Sequence, residues 1–238
     1  MSTILDRRTS PDRRRESRMP TPPAPEYSSS TRFFLVVKRA IDVVGSLALL
    51  IVFSPVFMIL TLLIPLDSPG PVLYHSPRRG YWGRIFNVFK FRTMQRDAHA
   101  RREELVNSED PNRLLFKIKR DPRVTRLGKF LRQYSFDELP QLFNVLRGEM
   151  SLIGPRPLLK EDFEKASLPG PLYRQWVRDR HMLRPGLTGL WQVSGRTDLS
   201  LEDSMRLDLQ YIERWSPWMD VKIILKTPKA VLEGKGAY

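Results

Sequence analysis

The sequence predicts an α+β chain, mainly helical. It has an N-terminal apolar helix-break-helix unit at a membrane, then a basic portion with a short β-hairpin and amphipathic interfacial helices. Three observations predict this. No charged residue lies between Asp42 and Asp67, and Ser54-Pro55 interrupts that run. Two short apolar runs, Val72 to Tyr74 and Ile85 to Phe91, flank Gly80 and Gly83 and read as paired strands. Further on, Leu127, Phe130, Leu131 and Tyr134 recur at the spacing of one helix face.

Residues 1–31 come first. They are rich in Arg, Pro, Ser and Thr and carry almost no apolar cluster. Such a segment buries too little surface to order itself, so it reads as a disordered basic tail, either inert or lipid-binding. Residues 32–66 form the apolar unit. The uncharged run, as a straight helix, is roughly 36 Å long, enough for a bilayer core of about 30 Å. Proline removes a helix hydrogen bond and clashes with the preceding turn, so a break is expected at Ser54-Pro55. Both flanks are basic, and basic flanks favour the cytoplasm. A kinked span and a helix that enters, bends and returns both remain open at this point.

Residues 67–238 form the third unit. In a strand, Lys90 and Arg92 fall on one face. A helix is expected over 97–106 and a loop over 108–124. Thr125 caps the helix with the Leu127 face. A second helix begins near Ser135 to Asp137 and carries Leu139, Leu142, Phe143 and Leu146. A loop follows at Gly154-Pro155-Arg156-Pro157, then helices at 159–166, 170–181 and 201–214. The last helix, 217–232, aligns Val221, Ile224, Leu225 and Leu232. Lys222, Lys226 and Lys229 lie mostly off that face, beside Trp215 and Trp218. Such a helix suits either the membrane interface or the protein's own core.

Composition narrows the chemistry. The 238 residues carry 40 Lys+Arg against 26 Asp+Glu, a net charge of +14, which favours anionic partners. An apolar fraction of 41% excludes wholesale disorder. The absence of cysteine excludes disulfides, thiol catalysis and Cys-based zinc sites. His75, His99 and His181 form no zincin pattern, and no Walker A, G-x-S-x-G or G-x-G-x-x-G string occurs.

The most pointed string is Tyr134 to Gln141, with Asp137 and Glu138 adjacent at a helix start. Ser135 with Glu138 also fits a capping box, which alone explains much of it. Lys90, Arg92, Arg126, Lys129, Arg132, Arg147 and Arg156 flank the acids in sequence. Paired carboxylates among cations suit a site for Mg²⁺ and a diphosphate, because a hard cation takes carboxylate and phosphate oxygens together. Arginine grips phosphate through its planar fork. A carboxylate also attacks phosphorus to form an acyl phosphate. Solvated surface charge is the plain alternative for most of these cations. Arg156 stands between two prolines that pre-set its backbone. Arg184-Pro-Gly-Leu-Thr-Gly189 and Ser194-Gly195-Arg196 read equally as tight turns.

Taken together the strings are specific. K-x-R-T-M at Lys90 to Met94, S-F-D-E-L-P-Q at Ser135 to Gln141 and S-L-I-G-P-R-P at Ser151 to Pro157 occur in order. R-P-G-L-T-G-L-W-Q-V-S-G-R follows at Arg184 to Arg196. With K-R-x-x-D at Lys38 to Asp42 and the Ser54-Pro55 break, the chain from about Arg32 onward resembles the bacterial sugar transferase family. These are the polyprenyl-phosphate hexose-1-phosphate transferases, or monotopic phosphoglycosyl transferases.

The resemblance implies a re-entrant membrane helix broken at Ser54 and Pro55, with a catalytic domain on the cytoplasmic face of the bacterial inner membrane. It implies transfer of hexose-1-phosphate from a UDP-hexose to undecaprenyl phosphate, with release of UMP. Asp137 would be the nucleophile of a covalent phosphosugar intermediate. Glu138 would assist as a Mg²⁺ ligand or proton acceptor, Mg²⁺ being the expected cofactor at Asp137 and Glu138. Lys90, Arg92, Arg132 and Arg156 match cations expected around the phosphates, with Arg184 and Arg196 as contacts to nucleotide or sugar. The partners implied are UDP-hexose, undecaprenyl phosphate and membrane lipid, with no nucleic acid and a homodimer left open.

Larger members carry an N-terminal multi-span domain, so a compact form is expected here. The ending Glu233 to Tyr238 looks like members that transfer galactose- or glucose-phosphate for exopolysaccharide. Two rival readings are a basic membrane-anchored binding protein and a non-catalytic scaffold. Both would be indifferent to loss of Asp137.

Overall fold

The structure, a computed structural model, describes residues 29–98, 121–157, 179–195 and 201–233, with Trp176 and Leu199. The expected helices at 159–166 and over most of 97–106 and 170–181 lie outside the described residues, as do 1–28. The chain opens with α1 (Ser29–Val52) and α2 (Ser54–Asp67), bent by 60° at the break. α1 thus starts at Ser29, before the expected boundary at residue 32. Among the described residues no single helix is long and apolar enough to cross a membrane, but the bent pair together passes that test. Pro55 sits in the first turn of α2, where its missing N–H does no harm. Ser54 Oγ donates to Ile51 O at 2.8 Å, closing one carbonyl that the break exposes. Both helices leave apolar side chains bare, among them Val36, Val44, Ile51, Met58, Leu62 and Leu66.

β1 (Leu73–Arg79) and β2 (Ile85–Phe91) form the antiparallel hairpin. The first strand is longer than expected and excludes Val72. Next come α3 (Arg126–Gln133), a 3-10 turn (Phe136–Glu138) and α4 (Gln141–Leu146). The Thr125 cap is present: its side chain accepts from Gly128 N at 3.0 Å. β3 (Ser151–Ile153) then pairs in parallel with β4 (Gly186–Thr188). That pairing explains the glycines of its two loops. A Cβ on Gly186 would lie 2.0 Å from Gly154 N, and one on Gly154 would lie 2.4 Å from Arg184 O. The chain ends with α5 (Leu190–Ser194), α6 (Leu201–Glu213) and α7 (Pro217–Leu232).

Three apolar clusters hold these parts together. Leu60 and Ile64 of α2 pack on Phe91 and Leu131, with Phe57, Phe136 and Leu139 against them. The second apolar helix therefore underlies the acidic turn directly. Val88, Val145 and Met150 join the hairpin to α4, and Ile153, Tyr211 and Ile223 join β3, α6 and α7. Of α7, Ile223 faces inward while Val221, Ile224, Leu225 and Leu232 stay exposed, with Lys222 5.8 Å from the Trp218 ring. The aligned face seen in the sequence is thus the outward one.

Polar ties fix α1. Lys38 Nζ meets Asp220 Oδ2 at 2.6 Å, and Arg39 donates to Val145 O and Leu146 O at 2.6 and 2.9 Å. Asp42, buried, accepts from Ser151 Oγ and Leu152 N at 3.0 and 2.9 Å. The K-R-x-x-D string is therefore a fastening between α1 and the rest.

Candidate active site

The acidic pair stands on a strained turn. After α3, Ser135 takes φ 57° and ψ 20°, the left-handed region that non-glycine residues avoid. The chain reverses there into the 3-10 turn, with Glu138 N bonded to Ser135 O at 3.1 Å and Leu139 N to Phe136 O at 3.2 Å. This corrects the expectation of one helix starting near Ser135. In a continuous α-helix the ring of Pro140 would meet the carbonyl of Phe136, so α4 begins only after the proline. The capping box is not formed either. Ser135 makes no side-chain cap bond, and Glu138 turns to cations instead.

Those cations distinguish the two acids. Glu138 Oε1 accepts from Lys90 Nζ at 2.7 Å and from Arg156 Nη2 at 3.0 Å. Lys90 Nζ lies 3.5 Å from Asp137 Oδ2. Glu138 is clamped, while Asp137 is buried beside it with a long contact. Burial is the largest influence on Asp137 and pushes its carboxyl above the usual aspartate range. Lys90 opposes this, and the Glu138 charge reinforces it. Burial acts likewise on Glu138, but Arg156 and Lys90 outweigh it and hold that carboxyl well below the usual glutamate range. One turn thus presents a firmly ionised carboxylate immobilised by two cations and, beside it, a second carboxylate that is desolvated and less engaged.

Each wall comes from a different element. Lys90 projects from β2. Arg132 of α3 is positioned by its Nε–H donating to Thr93 Oγ1 at 2.9 Å, and its charge acts on Asp137. Arg156 follows β3, with its guanidinium 5.6 Å from the Trp191 ring. Its carbonyl accepts from Arg180 Nη2, and Arg180 pairs with buried Asp208 at 3.2 Å and lies 4.4 Å over Trp176. Lys90, Arg132, Arg156, Asp137 and Glu138 line a cavity of about 1320 Å³ that continues between apolar side chains of α1 (Ala48, Leu49), of the break (Phe53) and of α7 (Ile224, Val231).

The structure brings Asp137, Glu138, Lys90, Arg132 and Arg156 together. Arg92 lines the same cavity, but its guanidinium donates to Pro69 O at 2.8 Å and to Ser68 O. It parts from Lys90 because β2 ends at Phe91. Arg184 is outside the cavity: its Nε donates to Gly148 O at 2.9 Å and its guanidinium lies 5.2 Å over Tyr81. Arg126 and Lys129 are exposed, and Arg147 lies 4.7 Å over Phe89. Arg196 lies outside the described residues. Sequence reasoning missed Thr93, Arg180, Asp208 and Gln192. Thr93 and Gln192 stood inside motifs already noted, while Arg180 and Asp208 carried no local signal.

Among the described residues no group of three His, Asp or Glu side chains is placed to hold a metal. Mg²⁺ needs no such cage. It binds through one or two carboxylates and completes its shell with water and substrate phosphates. Asp137 and Glu138 fit that mode.

A profile of the bacterial sugar transferase family matches residues 33–234. An undecaprenyl-phosphate galactose phosphotransferase of Salmonella typhimurium is 41% identical over 213 residues, 88% of this chain and 42% of that protein. An undecaprenyl-phosphate glucose phosphotransferase of Komagataeibacter xylinus is 43% identical over 86% of this chain and 37% of its own length. The exopolysaccharide production protein ExoY of Rhizobium meliloti is 39% identical over 85% of this chain and 88% of its own. The chain spans less than half the length of the first curated relatives it matches.

Proposed function

The chain belongs to the bacterial sugar transferase family, and from that premise we propose that it moves a hexose-1-phosphate, of galactose or glucose, from a UDP-hexose to undecaprenyl phosphate. The observation that carries this reading is the inequality of the two carboxylates. Lys90 and Arg156 fix Glu138 through one oxygen, while Asp137 beside it is buried and less engaged.

In the first step an Asp137 carboxylate oxygen attacks the β-phosphorus of the UDP-hexose. The bond from that phosphorus to the bridging oxygen breaks, and UMP leaves with the electron pair. The product is an acyl phosphate on Asp137 carrying the hexose. In the second step an oxygen of undecaprenyl phosphate attacks the same phosphorus, the aspartyl–phosphorus bond breaks, and undecaprenyl-diphosphate-hexose forms. Lys90, Arg132 and Arg156 offset the charge that both steps concentrate around phosphorus. Glu138 holds two of these cations in place. Asp137 and Glu138 would also hold Mg²⁺, which supplies further neutralisation of the diphosphate.

The membrane reading rests on the same geometry. The apolar pair α1–α2, bent by 60° and bare on its outer side, suits a re-entrant unit with both basic flanks in the cytoplasm. The lipid phosphate would reach the cations while its isoprenoid chain lies along the apolar walls of α1 and α7.

The test is UMP release by the detergent-purified protein with undecaprenyl phosphate, Mg²⁺ and either UDP-galactose or UDP-glucose. With donor and no lipid, intact-mass analysis should show protein heavier by one hexose phosphate. Asp137→Asn should abolish both signals. Turnover by Asp137→Asn would overturn the covalent course.

A further inference from the structure

Gln192 is a side chain of this cavity that the reaction above leaves without a task. It sits on α5, is 8% exposed and lines the cavity. Neither its Oε1 nor its Nε2 has a hydrogen-bond partner. An amide buried in that state costs stability at each unmet group, and a ligand that bonds both atoms removes that cost. The backbone makes room for it. A Cβ on Gly189 would fall 2.8 Å from Gln192 Oε1 and 2.2 Å from Gly154 O, so glycine there lets the amide sit against the loop that carries Arg156.

The position indicates what completes it. Gln192 adjoins Trp191, whose ring lies under the Arg156 guanidinium, and Arg156 bonds Glu138. It lines the same cavity as Asp137, where the attack on phosphorus proposed above would take place. Two groups are attached to that phosphorus: the hexose and the α-phosphate of UMP. The second phosphate belongs with cations, and the cavity supplies them on other elements, at Lys90 and Arg132. The residues that β4 and α5 themselves give to the cavity are uncharged: Leu187, Thr188, Trp191 and Val193, with Arg156 reaching over Trp191 from the loop after β3. A neutral wall with one unmet donor and one unmet acceptor fits a ring bearing hydroxyls, each of which both gives and takes a hydrogen bond. Resting on the donor proposed above, we propose that Gln192 binds hydroxyls of the hexose and sets which hexose the enzyme accepts.

The test separates binding from chemistry. UDP-galactose, UDP-glucose and UDP are titrated by calorimetry into Asp137→Asn protein and into Asp137→Asn carrying Gln192→Leu as well. The leucine variant should bind the preferred UDP-hexose about 10-fold more weakly, as one lost hydrogen bond to a buried amide implies. The gap between the two hexoses should narrow, and UDP should bind as before, which also certifies the fold. Gln192→Glu, similar in size and keeping the acceptor, should fall between. Unchanged discrimination would overturn the assignment, as would UDP weakened as much as the UDP-hexose. Asp137→Asn protein that binds no UDP-hexose while wild type still turns one over would isolate a fault in the first step's reading. Absence of both would remove the donor itself.

Discussion

The joint between α1 and α7 offers the sharpest stability prediction. Asp220 of α7 accepts from Lys38 Nζ at 2.6 Å, Tyr211 Oη at 2.8 Å and Trp215 Nε1 at 3.2 Å. Its side chain is 12% exposed and that of Lys38 15%. Asp220→Ala strands an ammonium group, a hydroxyl and an indole N–H together. Removing one partner of such a pair costs about 3–5 kcal/mol, because the other charge stays behind. At roughly 2–4 °C per kcal/mol for a protein of this size, Tm should fall by roughly 10 °C. Lys38→Met added to Asp220→Ala should recover a good part of the loss, since the stranded charge is gone. Intrinsic tryptophan fluorescence during heating in detergent measures both. A drop below about 2 °C for the single variant, or a double variant less stable than the single, would refute the view that this joint carries buried charge.

Other outcomes follow from the same geometry. Arg156→Lys keeps the charge but loses the fork that meets Glu138 at 3.0 Å and the stack on Trp191. Turnover should fall about 10-fold, and unchanged kinetics would reduce this arginine to a turn residue. Gly186→Ala places a carbon 2.0 Å from Gly154 N, so the protein should unfold at far lower temperature or fail to accumulate. Burial, with help from Asp220, raises the Tyr211 hydroxyl well above its ordinary value. The unfolded chain then releases this proton more readily than the folded one, so stability falls as pH rises beyond about 10. The slope should be shallower in Tyr211→Phe, and parallel curves would count against it.

Much of this architecture was legible because periodicity and charge report burial. The uncharged run, its break, the second hairpin strand, the Thr125 cap and the last helix at 217–232 fall where the pattern put them, while the first strand runs on to Arg79. The acidic turn did not. Ser135, Glu138 and Pro140 read locally as a helix start, and a local pattern cannot register that Lys90 and Arg156 arrive from β2 and the loop after β3. Once they do, Glu138 gains two charge-assisted bonds in place of one cap bond, and the stronger set decides. The same limit hid Asp208 and Arg180, whose pairing depends on a separation along the chain that no short motif records.

That limit also explains why the cations divided as they did. Arg39 donates to the last carbonyls of α4, Arg92 to the carbonyls just past α2, and Arg184 to Gly148 O just past α4. Helix ends expose carbonyls that need donors, and where apolar helices pack against one another water is a poor supplier. A long side chain with several N–H groups solves that problem from a distance, and a positive charge suits the negative end of a helix. Arg92 shows the consequence for the site. It fastens the end of α2, and α2 through Leu60 and Ile64 packs on Phe91 and Leu131 beneath the acidic turn. Its neighbour Lys90 holds Glu138 directly. One short motif thus supplies a residue that grips the carboxylate and another that steadies the floor beneath it. A site assembled on the bent α1–α2 pair draws on both, so cations that bond the protein's own carbonyls belong to its construction.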